Sequence, residues 1–418
     1  MAKVQHHRAS PRSVSRIVFH WLKGLPAGEL AAQVADWQSD QWQWARTAMH
    51  VHGIAPLLYQ TLRRLPAWDE LPQSIRTYLQ NYYELNGERL GILMAELQAI
   101  LKSARQAGIR VLPLKGAILA THYYQAQALR PMADLDLLVR PSDLYRMGRL
   151  LRQLGYRDML SSLRHQRFLL TRRGLQITSL DREHPDNPYV VEIHTAVEEE
   201  FPGCHYRITD DLWNQSEPAQ FGDAPGRLVN PPALLEHLLI HGARDLFDHH
   251  ARLIQLYDMS LVIPHLSAPD WDLLRHEAGR RQAQRWLYAP LRFLERCLGG
   301  AAPPDFMAYL TRYVPTCLGN FLEDADLYKL SHLNHNPKTL VDILSWHRPG
   351  RERWSAVRDL VMPRRNDPRI LRHQTRHRRP LVAYLIYWWQ KACQTLSAWL
   401  HLPQKSRAHG VADELQER

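Results

Sequence analysis

Within the run DLDLLV at residues 134–139, two carboxylates stand two positions apart in a segment otherwise made of leucine and valine. Side chains alternate along a strand, so a strand here sends Asp134 and Asp136 out through one face. Two like charges held side by side raise each other's pKa and resist joint ionisation. A cation between them removes that penalty. Mg2+ suits the task, because it takes oxygen ligands and is commonly held by one or two carboxylates together with the phosphates of a substrate. A second run, YVVEIHT at residues 189–195, obeys the same alternation. Val190, Glu192 and His194 fall on one face, and Tyr189, Val191, Ile193 and Thr195 on the other, which makes Glu192 the candidate third acid.

Upstream, VLPLK is a short apolar stretch ending in Lys115-Gly116, and it runs directly into the helical pattern GAILATHYY. Glycine at such a junction lets backbone N–H groups approach an anion, the helix start carries partial positive charge, and Lys115 adds a full one. Arg130, just before the acidic pair, is placed to grip a phosphate in a two-pronged way. A D-x-D pair or a Lys-Gly step is common by chance. Their order carries the reading: strand, Lys-Gly, helix, arginine, strand with two acids, helix, strand with a third acid. These are the parts of a metal-dependent phosphoryl or nucleotidyl transfer site.

LPLKGAILATHYY, LRPMADLDLLVRPSDL and VVEIHT together resemble the uncharacterised nucleotidyltransferase family of the polymerase-beta-like superfamily. The resemblance is strongest over residues 111–139 and extends over 45–260. A fainter similarity runs to the AbiEii-type toxin nucleotidyltransferases, which share the order of lysine-glycine, arginine and D-x-D. What the resemblance implies is a small mixed sheet carrying the acids, with Asp134 and Asp136 as metal ligands and Glu192 as the third carboxylate. Lys115, Gly116 and Arg130 would then surround the nucleotide phosphates. One departure stands out, since Lys-Gly replaces the superfamily's usual phosphate-binding Gly-Ser.

A chain of 418 residues exceeds one typical domain. Its 45% hydrophobic and 23% charged content is that of a globular protein. Cys204, Cys297, Cys317 and Cys393 are widely spaced with no C-x-x-C, which argues against a disulfide framework or a zinc knuckle. The polar, basic start and the short apolar run IVFHWL do not make a signal peptide. A net charge of +11 favours a polyanionic partner or an anionic membrane surface. Much of that surplus lies late, in the arginines at 364, 365, 369, 372, 376, 378 and 379.

The first 66 residues give three amphipathic helical stretches broken at Gly24, Pro26, Gly53 and Pro66. Trp37, Trp42 and Trp44 are expected to be packing anchors rather than a base-stacking cage. Pro72 to Gly108 gives one long helix, with Gly87 and Gly91 marking close approach by a neighbour. From Asn230 the pattern is helical again. His237, His241 and Asp245 recur at four-residue steps, a geometry able to bind metal but better explained as a polar stripe facing the sheet or the site. Arg252 and Asp258 are expected to form a structural ion pair, with contact to the nucleotide as the alternative. Near the C-terminus, LVAYLIYWWQKACQTLSAWLHL at 381–402 is apolar and Trp-rich, too interrupted for a spanning helix. It suits either an interfacial helix or one packed on the body.

The expected architecture is α+β. A small mixed β-sheet nucleotidyltransferase core at 109–200 is flanked by helical regions at 1–108 and 201–361, and a basic tail with an amphipathic apolar helix follows at 362–418. The expected function is transfer of a nucleoside monophosphate from a nucleoside triphosphate to an acceptor hydroxyl with release of pyrophosphate. Mg2+ is the expected cofactor. Asp134, Asp136 and Glu192 are the catalytic, metal-ligating residues, and Lys115, Gly116 and Arg130 bind the nucleotide. The alternatives are a nucleotide-binding accessory protein without chemistry, motivated by the Lys-Gly departure, and a toxin-like transferase acting on tRNA. No RNA-recognition motif with stacked aromatics supports a nucleic-acid partner. The expected location is cytoplasmic, peripheral at the inner membrane face through the tail.

Overall fold

The computed structural model describes residues 10–23, 28–159, 165–170, 184–201, 204–300, 302–334 and 338–361. The alternating runs become strands: β1 Val111–Pro113, β2 Asp134–Val139, β3 Tyr156–Asp158, β4 His165–Leu170 and β5 Val190–His194. They form one mixed sheet in the order β1-β2-β5-β4-β3. Its centre is the parallel pair β2 and β5, in which Asp136 stands opposite Glu192 and Leu138 opposite His194. β1 and β4 flank that pair antiparallel, and Arg167 of β4 faces Glu192. Leu135, Leu137, Val191, Ile193 and Phe168 are buried on the apolar side. Asp136, Glu192 and His194 point to the other side and stay half-buried.

The long helix expected from Pro72 to Gly108 is Gln73–Gln106, ended by Gly108 at φ +65. It anchors the sheet. Glu96 accepts a hydrogen bond from Tyr156 of β3 at 2.8 Å. More consequential is Arg89, which is 1% exposed. Its guanidinium donates to four backbone carbonyls, Met132 at 3.1 Å, His184 at 3.2 Å, Asn187 at 2.7 Å and Pro188 at 3.2 Å. Met132 lies two residues before β2, and Pro188 two before β5. One side chain thus ties down the segments feeding both acid-bearing strands. Gly87 allows the approach expected of it, since a Cβ there would lie 3.3 Å from Ala128 Cβ, whereas Gly91 has nothing within 4 Å.

Two hairpins follow, β6 Glu198–Phe201 with β7 Cys204–Arg207, and β8 Ser216–Phe221 with β9 Ala224–Val229. The second leans on the long helix, where Lys102 pairs with Asp223 at 2.6 Å. Helices Pro231–Asp248, Leu253–Val262, Ala268–Arg280 and Gln284–Leu298 then pack together. Phe201 stacks on Trp286 at 3.8 Å and Trp286 on Trp346 at 5.2 Å, so the first hairpin is fastened to the helical layer by rings.

At the N-terminus the stretch expected as one helix is two, Glu29–Val34 and Ser39–His52. Gln38 makes the division, because its backbone N–H donates to Gln41 at 2.8 Å and starts a new helix. Trp37 and Trp42 pack edge to face at 4.9 Å as anchors, but Trp44 is 43% exposed and anchors nothing inside. These helices are tied to the C-terminal layer, for His52 Nδ1 accepts the Leu253 N–H at 3.0 Å and Arg252 donates to the Val51 carbonyl at 3.0 Å. The architecture is α+β, a small mixed sheet with helical flanks. Among the described residues no helix is long and apolar enough to cross a membrane. The arginine cluster and the apolar run at 381–402 lie outside the described residues.

Two outcomes follow from these contacts. Arg89→Met removes the donors of four carbonyls, and leaving several buried acceptors unmet is expected to lower the unfolding free energy by about 3–5 kcal/mol. Urea denaturation measures this, and a change below about 1 kcal/mol would contradict the anchoring role. Burial, then the Arg252 charge, bring His52 down to about 3. Below pH 6.5 the unfolded chain takes up a proton that the folded imidazole refuses. Stability therefore falls as pH drops from 7 to 5, by up to roughly 1.4 kcal/mol per pH unit for this residue. His249, brought down to about 4 mainly by burial, adds to the same slope. Thermal melts of wild type and His52→Gln across that window should show a shallower fall in the variant.

Candidate active site

The acid face of the sheet is built by strand register. Because Asp136 and Glu192 are partners on adjacent parallel strands, their carboxylates leave the sheet side by side. His194, two residues after Glu192, joins them, with Nε2 2.8 Å from Asp136 Oδ1 and 3.9 Å from Glu192 Oε2. Among the described residues these three form a set whose ligand atoms all lie within 4.8 Å of one another. Asp134, at the open end of β2, stands outside that set. Arg167 Nε contacts Glu192 Oε1 at 2.9 Å and turns the carboxylate.

The two aspartates are driven in opposite directions. Burial would raise Asp136, but the hydrogen bond from His194 and the charge of Lys115 outweigh it and hold the group well below the usual carboxylate range. Asp134 is open to water on one side yet surrounded by protein on the others. That desolvation, with the Asp136 charge, raises it. Glu192 is raised by burial and by both aspartates, against the pull of Arg167. A cleft holding three acids in unequal states is one that an added cation would level.

Lys115 supplies the positive end. It opens helix Lys115–His122 with φ +35, a left-handed backbone unusual for a residue with a side chain. Its charge acts on Asp134, Asp136, Glu199, His237 and His241. Gly116 is required by space. A Cβ there would lie 2.7 Å from Arg130 Nη1 and 3.2 Å from the Met132 sulfur.

Arg130 is arranged differently from the sequence expectation. Its two-pronged edge is taken by Asp258, with Nε 3.0 Å from Oδ1 and Nη2 2.9 Å from Oδ2, and Tyr124 donates to the same carboxylate at 2.8 Å. The edge that borders Gly116 is Nη1. The ion pair expected between Arg252 and Asp258 is replaced by this one, and Arg252 serves the Val51 carbonyl instead.

Helix Pro231–Asp248 forms the opposite wall. His241 pairs with Glu199 of β6 at 3.3 Å and with Asp245 at 3.5 Å, so this part of the four-residue stripe turns toward β6. His237, only 4% exposed, sits in the field of Lys115, Asp136 and His194. Burial, then Lys115, push His237 well below its ordinary value, whereas Asp245 and Glu199 overcome burial and raise His241. Sequence reasoning named neither His194 nor Arg167, Glu199 or His241 as members of the site. His194 left a signal in its shared face with Glu192, and His241 one in the four-residue stripe with His237 and Asp245. Arg167 became visible only through the pairing of β4 with β5.

The arrangement can hold a divalent cation against one wall and phosphate charge against Lys115. The profile of a family described as an uncharacterised nucleotidyltransferase matches residues 38–299. Among solved structures, the chain is similar to the antibiotic-resistance factor ANT(2'')-Ia in its solution structure, at 19% identity over 46% of this chain and 94% of that chain, with a TM-score of 0.33. It is also similar to an antigenic nucleotidyltransferase-like protein from Paracoccidioides brasiliensis, at 13% identity over 47% of this chain and 91% of that one, with a TM-score of 0.27. No curated protein matches the chain.

The Arg130–Asp258 pair generates a prediction. Asp258→Ala leaves a guanidinium that is 12% exposed without its counter-charge, and a loss of about 3–5 kcal/mol in unfolding free energy is expected. Adding Arg130→Met to that variant should restore part of the loss, because the stranded charge is gone. Chemical denaturation of the two variants reads both effects, and a double variant weaker than Asp258→Ala would show that the penalty has another source.

Proposed function

The chain belongs to the uncharacterised nucleotidyltransferase family, and from that premise we propose that it is a metal-dependent enzyme that moves a nucleoside monophosphate from a nucleoside triphosphate to an acceptor hydroxyl and releases pyrophosphate. The observation that carries this reading is the register setting Asp136 beside Glu192, on the sheet face toward which Lys115 directs its charge.

The residues present fit a divalent ion. Asp136 and Glu192 offer oxygen atoms within one coordination sphere, and Asp134 adds a water-exposed carboxylate at the mouth. These three acids are proposed as the ligating, catalytic set, and the carboxylates suit the Mg2+ expected from the sequence. When bound, such an ion neutralises triphosphate charge and lowers the pKa of an attacking hydroxyl. The remaining work falls to the chain. Lys115 sits where negative charge accumulates on the departing pyrophosphate, and the start of its helix points backbone N–H groups the same way. Arg130, fixed by Asp258, presents Nη1 beside Gly116, so the phosphate-facing edge is rigid before the nucleotide arrives. Arg167 holds Glu192 in place. On this proposal residues 109–200 are the nucleotidyltransferase core, and the 201–361 region closes the cleft with His237 and His241.

Pyrophosphate release from labelled triphosphates, screened with pooled hydroxyl acceptors, tests the assignment. Asp136→Ala and Asp134→Ala are each expected to lower turnover by about 100- to 1,000-fold with little change in melting temperature. Turnover that survives both substitutions rejects the site. Triphosphate bound in calorimetry but never consumed by wild type would instead favour an accessory nucleotide-binding protein, the reading that the Lys-Gly step motivates.

A further inference from the structure

Val341 and Trp354, each 76% exposed, are the most exposed large apolar side chains among the described residues. Both belong to the last two described helices, Leu340–Ser345 and Arg351–Val361, and Leu340 beside Val341 is exposed as well. We propose that this end of the folded chain is a docking surface for an anionic lipid bilayer, with Trp354 as the anchor and the arginines beside it as the charge that selects the lipid. The inference is independent of the transfer reaction.

These helices are fastened to the body, so the exposure is not that of a loose end. Trp346, between them, is buried and stacks on Trp286 at 5.2 Å. Glu352 pairs with Arg285 of helix Gln284–Leu298 at 2.5 Å and accepts the Arg348 N–H at 3.0 Å. Arg353 donates to the His347 carbonyl at 3.2 Å, and Ala356 is fully buried. One side of helix Arg351–Val361 is thereby held against protein and the other is left to solvent.

On the solvent side stand Arg351, Trp354 and Arg358, all exposed and spaced three and four residues apart, hence on one helix face. An indole flanked by guanidinium groups suits the headgroup level of a bilayer. The ring enters the boundary between headgroups and acyl chains, while the long arginine side chains keep their charge with the phosphates. Val341 and Leu340, on the first turn of the neighbouring helix, offer further apolar contact. Among the described residues no helix is able to cross a membrane, so the contact is peripheral.

Charge decides between the candidate occupants. Arg348 and Arg351 are exposed and have no acidic partner among the described residues. Directly after the helix the sequence places seven arginines between 364 and 379, and then the apolar, Trp-rich run at 381–402. Packing that run back on this face would bring the arginines against Arg348, Arg351 and Arg358, all of one sign. A second copy of the chain related by a two-fold axis would meet the same repulsion, since like patches face each other. An anionic headgroup layer meets every one of these groups with opposite charge.

Vesicle flotation of the full chain tests this. Binding is expected to vesicles of phosphatidylcholine mixed with phosphatidylserine and not to phosphatidylcholine alone, and it should weaken as salt is raised. Trp354→Ser is expected to lower the partition coefficient by about 10-fold, and Arg351→Gln with Arg358→Gln together by about 10- to 30-fold. Because these side chains are exposed, both variants should melt at the wild-type temperature. Absence of binding to the anionic vesicles, or equal binding to the neutral ones, overturns the proposal. Variants that float like wild type overturn it too, by placing the lipid contact outside this face. A wild-type dimer that Trp354→Ser turns into a monomer in sedimentation, without vesicle binding, assigns the face to a second copy instead.

Discussion

A single buried guanidinium sets the geometry on which the rest of this molecule depends. Arg89 projects from the middle of the long helix and binds carbonyls on the two segments that lead into β2 and β5. Those segments are far apart along the chain, and Arg89 binds both. Arginine suits the task because its planar fork offers five donors while staying charged, so several carbonyl dipoles can converge on it. With both leads held, β2 and β5 meet in one register. A slip by a single residue would turn Glu192 to the apolar side and leave Asp136 facing a valine or an isoleucine.

Once the register is set, the cleft is organised by charge. Three acids, Lys115 and three histidines are drawn together, and the states of the acids and of His237 and His241 are spread apart rather than shared. Asp136 is held ionised by His194 and Lys115, while Asp134 and Glu192 bear the cost of lying near it. This uneven distribution is a poor resting arrangement and a good receptive one, since cation and polyphosphate together would satisfy both signs. The strained backbone at Lys115 and the lack of a side chain at Gly116 belong to the same design. Both keep the start of helix Lys115–His122 close to Arg130, which Asp258 and Tyr124 hold from behind.

Much of this was legible in the residues. The alternation in DLDLLV and YVVEIHT gave strands with the acids on one face, and the Pro72 to Gly108 pattern gave the long helix. Other features left no local trace. Arg130 reads as a phosphate clamp because nothing near it in sequence shows that Asp258, 128 residues away, takes its bidentate edge. Arg167 sits in a stretch with weak periodicity, and its role arises only from pairing with β5. The helix expected to run unbroken from Ala27 to Gly53 is divided by a Gln38–Gln41 contact that propensity alone does not register.

By itself the sequence determined which residues carry charge on which side of each strand, and where helices start and stop, because those properties follow from a backbone period of two or 3.6 residues and from local caps. It determined the chemical family of the site as well, through the order of its motifs. Only the tertiary structure decided that His194 joins the acids, that Asp134 stands apart from them, and that the arginine before β2 faces an aspartate first. Those outcomes depend on register between strands and on partners more than fifty residues away, and no local rule relates such distant side chains until packing has brought them together.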